Sequence, residues 1–300
     1  MVAVLLTAAL IRVESAFADD FSCGANSKTP ESKVINTALA GVPAVVRIPQ
    51  SVQHRPVILW HGLGAPADPT ALMQALPLDD VPAIKVYLGL PLTGERAPQD
   101  EADSLRQRQK RDYGALVFGP IVLGAAGELP AVVSALREAH CLLKDDAVDL
   151  FGFSAGGSAL LEALTEQKVR IATAITLNAP TGLAPAIGAL EKATHQSYIW
   201  SSEARRIDMQ TQFAAHAGQI AKNHPALLML QGINDSVGSP QDIRVLLHAL
   251  EPNYGDASDK ERVKVVLLPG VTHEWAQPPS LEAIRKQVSQ WLNEYGQVAN

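Results

Sequence analysis

Cysteine is nearly absent from this 300-residue chain, which carries only Cys23 and Cys141. No CxxC pair and no Cys/His cluster accompanies them, so nothing in the sequence suggests a zinc site. Basic residues are outnumbered as well: 25 Lys and Arg stand against 31 Asp and Glu, for a net charge of −6. That sign argues against nucleic acid or an anionic membrane surface as the main partner. The one dense basic stretch, "RQRQKR" at 106–111, is flanked by Asp100, Glu101, Asp103 and Asp112 and reads as a solvated loop or helix face. Neither a G-x-x-x-x-G-K-[ST] loop nor a G-x-G-x-x-G opening the first strand is present, so the usual phosphate cradles are missing. No cofactor is called for. Internal repeats and low-complexity linkers are missing too, which favours one domain.

The N-terminus holds "VAVLLTAALI" at 2–11, too short to span a bilayer but the right size for the apolar core of a signal peptide. Ala16-Phe17-Ala18 then fits an A-x-A cleavage site, although no Lys or Arg precedes the apolar run. The expected organisation is a leader at 1–18 and a mature domain at 19–300, exported to the periplasm or beyond, with no stable membrane insertion once the leader is gone. Two cysteines suit such a compartment and either bridge or stand as separate thiols.

From residue 32 onward, strand and helix patterns alternate. Residues 32–50 suggest a hairpin broken at Gly41-Val42-Pro43. Short apolar runs at 57–60, 83–90, 147–153, 171–177, 226–232 and 262–270 suggest strands, and they are continuous rather than alternating. Helical spacing fits 68–76, with Asp68 as N-cap and Pro69 behind it, and also 121–143 (clearest over 130–143), 158–167, 185–194, 207–222, 239–251 and 280–296. Continuous Val/Ile/Leu strands separated by helices mean a mostly parallel sheet covered on both faces.

One strand runs into "GFSAGG" at 152–157. The G-x-S-x-G form, with strand before and helix after, puts Ser154 on a sharp turn. Gly152 and Gly156 remove side chains that would collide there, and the helix N-terminus brings positive dipole to the spot where an oxyanion would form. A serine hydroxyl needs a base and an orienting acid. Asp235, in "LQGINDSVG", and His273, in "LPGVTHEW", each follow a strand's carboxyl end, as Ser154 does. Ligands bind at that edge of open α/β sheets, so the shared placement argues that the three converge. The other histidines read as structural or exposed, except His61, which follows the first buried strand next to Gly62.

The chain resembles the α/β-hydrolase-fold serine hydrolases, from about residue 30 to 295. The resemblance rests on His61-Gly62-Leu63-Gly64, Gly152-Phe153-Ser154-Ala155-Gly156, the G-x-x-D of 232–235 and the G-x-x-H of 270–273. It implies Ser154 as nucleophile, His273 as base and then acid, and Asp235 as the group fixing the imidazole tautomer. It also implies an oxyanion hole of the Ala155 N–H and one from the loop after His61, taken as Leu63 ahead of Gly62 or Gly64, with His61 organising that loop. Residues 181–224 would be a small helical lid, whose Tyr198 and Trp200 line an acyl pocket or pack in the core. The implied activity is cleavage of a small carboxylic ester through an acyl-enzyme, with a small aminopeptidase or amidase, or a catalytically idle binding protein, as the alternatives.

Overall fold

The computed structural model describes residues 22–23, 32–142 and 147–297. The predicted leader at 1–18 lies outside the described residues. Eight strands form one sheet: β1 (Lys33–Leu39), β2 (Val42–Ile48), β3 (Val57–Trp60), β4 (Lys85–Leu88), β5 (Val148–Phe153), β6 (Ile171–Leu177), β7 (Ala226–Gly232) and β8 (Val263–Leu268). The order is β1-β2-β4-β3-β5-β6-β7-β8. β1 and β2 form the expected antiparallel hairpin, and β2 pairs antiparallel with β4. Every pairing from β4 through β8 is parallel.

Strand alternation sorts the core into two layers. Val57, Leu59, Phe151, Phe153, Ile175 and Leu228 face one cluster, while Ile58, Trp60, Leu150, Ala174, Leu227 and Met229 face another. Both clusters are apolar, which is why these strands read as unbroken Val/Ile/Leu runs. Helices α1 (Pro69–Ala75) and α10 (Ser280–Tyr295) cover the first layer; α3 (Gly119–Glu138), α4 (Ala155–Glu166) and α8 (Pro240–Leu250) cover the second. The remaining described helices are α2 (Leu105–Tyr113), α5 (Leu183–Thr194), α6 (Ser202–Gln210), α7 (Ala217–Ile220) and α9 (Ala257–Lys260).

Capping follows the sequence signals at two helices. Asp68 accepts the Ala71 N–H at 2.8 Å to open α1, and Ser239 accepts the Gln241 N–H at 3.1 Å to open α8. α3 starts at Gly119, close to the expected 121, where a π-turn at Gly114–Phe118 carries the chain into it straight from α2, but it ends before the expected 143. It stops at Glu138: His140 takes a left-handed backbone (φ 55°), and the Cys141 N–H returns to the Leu136 carbonyl at 2.9 Å. The single helix expected at 207–222 is broken as well. Thr211 ends α6 by donating its hydroxyl to the Ile207 carbonyl at 2.9 Å, and the same oxygen accepts the Leu183 N–H at 3.2 Å. Phe213, fully buried, then draws the chain into the core before α7 begins.

The register brings the carboxyl ends of the parallel strands level. Trp60 pairs with Gly152, Phe153 with Leu177, Leu177 with Leu230, and Gly232 with Leu268. Whatever follows these residues projects from one edge. Between β6 and β7 the chain makes α5, α6 and α7; Leu183, Ala186 and Ile187 of α5 and Ala204 and Ile207 of α6 bury against Phe118 and Val122.

Cys23 and Cys141 form a disulfide between segments 118 positions apart, and the Cys23 N–H also donates to the Ala139 carbonyl at 2.9 Å. Disulfides are the rule in oxidising compartments and rare elsewhere. Closing so long a loop restricts the unfolded chain and is worth about 4 kcal/mol. Denaturant unfolding with and without reductant is therefore expected to differ by about that amount; superimposable curves would contradict a stabilising bridge.

Candidate active site

β5 delivers Ser154 into a backbone conformation of φ 53° and ψ −120°. That region is costly for a residue with a side chain, about 1–3 kcal/mol, and persists only where neighbours enforce it. Here the Ser154 N–H donates to Leu177 O at 2.9 Å, while its carbonyl accepts from Gly157 N–H at 2.9 Å and Ser158 N–H at 3.1 Å. Both strand and helix thus hold the turn. The flanking glycines have specific reasons. A Cβ on Gly152 would sit 2.3 Å from the Gly156 carbonyl oxygen, directly across the turn. One on Gly156 would meet not the turn but β3 and its loop, 2.4 Å from the His61 carbonyl oxygen. The second glycine therefore lets α4 start against β3.

Ser154 is 6% exposed, and its hydroxyl lies 3.0 Å from Nε2 of His273. Nδ1 of the same imidazole lies 2.8 Å from Oδ1 of Asp235. The carboxylate partner requires the proton on Nδ1, which leaves Nε2 to accept from the serine. Phe153 packs against the ring at 5.1 Å between centroids and is itself backed by Trp275 at 5.5 Å. Trp275 is fully buried, packs edge-on against Phe153 and does not line the cleft.

Asp235 is held by more than the histidine. Its side chain has no solvent exposure, and it also accepts from Val237 N–H at 3.0 Å, Gly238 N–H at 2.9 Å and the Gln231 amide at 3.1 Å. Burial alone would raise its pKa, but the His273 hydrogen bond and charge, with the Val237 N–H and Gln231 amide, hold it below the usual carboxylate value.

Three supporting residues escaped the reading of the sequence. Asn178, just past β6, is fully buried with a left-handed backbone (φ 50°). Its Oδ1 accepts the Gly232 N–H at 2.8 Å and its Nδ2 donates to the Thr272 carbonyl at 2.8 Å. One side chain therefore ties the strand end that leads to Asp235 to the residue preceding His273. The available signal was a polar residue ending an apolar strand, the same signal that marked Ser154. Gln231, the polar residue inside "ALLMLQG", clamps Asp235 and the Gly238 carbonyl. Tyr113 lines the cavity at Ser154.

His61 is fully buried and plays no part in the Ser154 contacts. Its Nδ1 donates to the Gly62 carbonyl at 2.7 Å and its Nε2 accepts the Leu90 N–H at 3.3 Å. Burial lowers its pKa, consistent with a neutral ring that fixes the loop after β3. Leu63 and Gly64 of that loop line the cavity with Ser154. Ala155 begins α4, so its N–H is among the first-turn donors a helix leaves without an internal acceptor.

Two cavities meet at His273. One, of about 550 Å³, runs from Ser154 along α5, walled by Ala186, Ala189, Leu190 and Ala193. The other, of about 590 Å³, is lined by more polar groups, including Asn234, Thr272 and Glu274. Tyr198 and Trp200 stand edge to face, centroids 5.3 Å apart, and pack against the cluster joining α3, α5 and α6 rather than lining the cavity at Ser154. Among the described residues no cluster of His, Cys, Asp and Glu has the makings of a metal site.

No family model and no curated protein matches the sequence; the likeness to known proteins is one of structure. A Thermus thermophilus protein, TT1662, superposes with a TM-score of 0.65 over 87% of this chain and 98% of its own, at 18% identity. The chain has the α/β-hydrolase fold. A puromycin-hydrolyzing peptidase of Mycobacterium tuberculosis shares that fold with a TM-score of 0.64 and 18% identity, over 88% of this chain but 39% of its own. A Pyrococcus furiosus esterase matches at 0.57 and 14% identity, over 89% and 93%. Within the hydrolase fold, Ser154, Asp235 and His273 are brought together as their positions in the sequence foretold.

The lowered pKa of Asp235 has a signed consequence. Its contribution to stability is present above the unfolded carboxylate value, near pH 4, and is lost as pH falls through the lower folded value. Stability measured against pH is expected to fall below about pH 4 and to do so less steeply in Asp235→Asn. Parallel acid limbs for the two proteins would contradict this account of the carboxylate.

Proposed function

We propose that this protein is a serine hydrolase that cleaves carboxylic esters through an acyl-enzyme. The observation that carries the reading is the continuous hydrogen-bonded path from Ser154 through His273 to Asp235, at 3.0 and 2.8 Å, with the serine on a strained turn at the sheet's ligand-binding edge.

In this reading Nε2 of His273 takes the Ser154 proton as Oγ attacks the carbonyl carbon. Asp235 holds the Nδ1–H tautomer and stabilises the imidazolium that results. Negative charge collects on the former carbonyl oxygen, where the Ala155 N–H and the Leu63 N–H serve as donors, aided by the positive end of α4. His273 then returns its proton to the departing alcohol, and water repeats the sequence to free the acid. The alanine-rich face of α5 makes room for the acyl chain, with the α5 to α7 excursion as its lid, and the more polar cavity beyond His273 receives the alcohol.

The same path can expel an amine, and the puromycin-hydrolyzing peptidase keeps that reading in view. The test compares p-nitrophenyl acyl esters with amino-acyl anilides. Ester turnover is expected to dominate and to fall at least about 10⁴-fold in Ser154→Ala. Faster cleavage of anilides would reverse the assignment, and no turnover of either would leave an idle fold.

A further inference from the structure

The basic stretch 106–111 does more than coat a helix. Its C-terminal end, Gln109 to Arg111, forms one wall of a groove of about 300 Å³. The groove continues the α5 cavity, the two sharing Gln109 and Leu190, while Lys192 of α5 lines the cavity that holds Ser154.

The charges along this path do not cancel. Arg111 is paired with Asp103 at 2.6 Å, and Arg108 also binds that carboxylate. Glu191, which also lines the groove, accepts the Tyr198 N–H at 2.7 Å and keeps its negative charge, so Lys110, Arg111 and Lys192 outnumber it along the path. Among the described residues neither Lys110 nor Lys192 has a carboxylate within ion-pairing distance. Two free ammonium groups thus flank the approach to Ser154 in a protein whose net charge is −6.

The walls are also tied together. Asp112 leaves helical geometry (φ −166°, ψ 96°) at the end of α2 and accepts the Ala115 N–H at 2.9 Å and the Tyr198 hydroxyl. The Tyr198 oxygen in turn accepts the Gly114 N–H at 3.1 Å. Tyr198, which follows α5, therefore straps that segment to the end of α2, beside Lys110 of the groove. Next to Ser154 the surface is methyl-lined by Ala186, Ala189 and Ala193, with Lys192 among them; farther out Lys110 and Arg111 line it with Glu191.

An apolar wall that carries Lys192 and leads on to Lys110, neither of them in an ion pair among the described residues, fits a small molecule with an apolar linker and an anionic end. We propose that the preferred substrates are esters bearing a carboxylate or similar anion on the part that lies along α5, with Lys192 and Lys110 as the recognising groups. The proposal rests on the ester-hydrolase reading above and narrows its substrate class.

The test uses matched pairs in the full chain. p-Nitrophenyl hydrogen adipate against p-nitrophenyl hexanoate places the charge on the acyl side; p-acetoxybenzoate against phenyl acetate places it on the alcohol side. In the acyl-side pair the anionic ester should have the higher kcat/KM, mainly through KM, while the alcohol-side pair serves as the control. That ratio should fall about two- to fivefold in Lys192→Ala or Lys110→Ala, as expected for exposed charge pairs. It should invert in Lys192→Glu, and shrink between about 0.01 M and 1 M salt as screening shortens from about 30 Å to 3 Å. A wild-type enzyme indifferent to charge on the acyl side, or a preference that survives both lysine changes, overturns the inference. Turnover of the neutral esters without charge preference rejects the groove alone; no turnover of any ester rejects the hydrolase reading with it.

Discussion

The hydrogen bond from Ser154 to His273 joins residues 119 positions apart, and nearly every constraint in the molecule serves to make it short. The register of β5 through β8 brings their carboxyl ends level, so the loops beyond them begin from one edge. Level ends alone leave side chains several ångströms adrift. Asn178 removes that freedom by bonding the β7 end and the Thr272 carbonyl at once. Gln231 and the Val237 and Gly238 N–H groups then fix Asp235, and Phe153, backed by Trp275, fixes the imidazole plane. A buried, fully bonded polar network of this kind gives up little geometry, because each lost bond would leave a desolvated group unpaired.

Strain at Ser154 is the counterpart of that rigidity. Its backbone stays in an unfavourable region because Gly152 and Gly156 admit the Gly156 and His61 carbonyls at distances no side chain tolerates. The turn is thus over-determined by α4 on one side and β3 on the other. The proposed function and the fold meet at this residue, since relaxing the turn would move the hydroxyl away from the imidazole.

Much of this was legible in the sequence where one physical rule dominates. Continuous apolar runs gave the parallel strands, and Ser154, Asp235 and His273 declared themselves by following strand ends. What was hidden depends on long-range partners. Asn178 looks like any polar residue closing a strand until the Thr272 carbonyl is seen beside it. The break in the helix expected at 207–222 needs the Leu183 N–H, which meets Thr211 only in three dimensions. Gly156 was correctly read as a close approach, but its neighbour is β3 rather than the turn. The basic stretch at 106–111 was half legible: Asp103 does pair with its arginines, whereas the position of Lys110 beside α5 follows from Tyr198, far along the chain.

The proposed function depends on Ser154 being a nucleophile activated by His273. Treatment with a fluorophosphonate followed by peptide mapping reads this directly. One phosphonyl group is expected, on Ser154, formed quickly by the wild-type protein and scarcely at all by His273→Ala. No adduct, an adduct on another residue, or equal labelling of the histidine variant would contradict it.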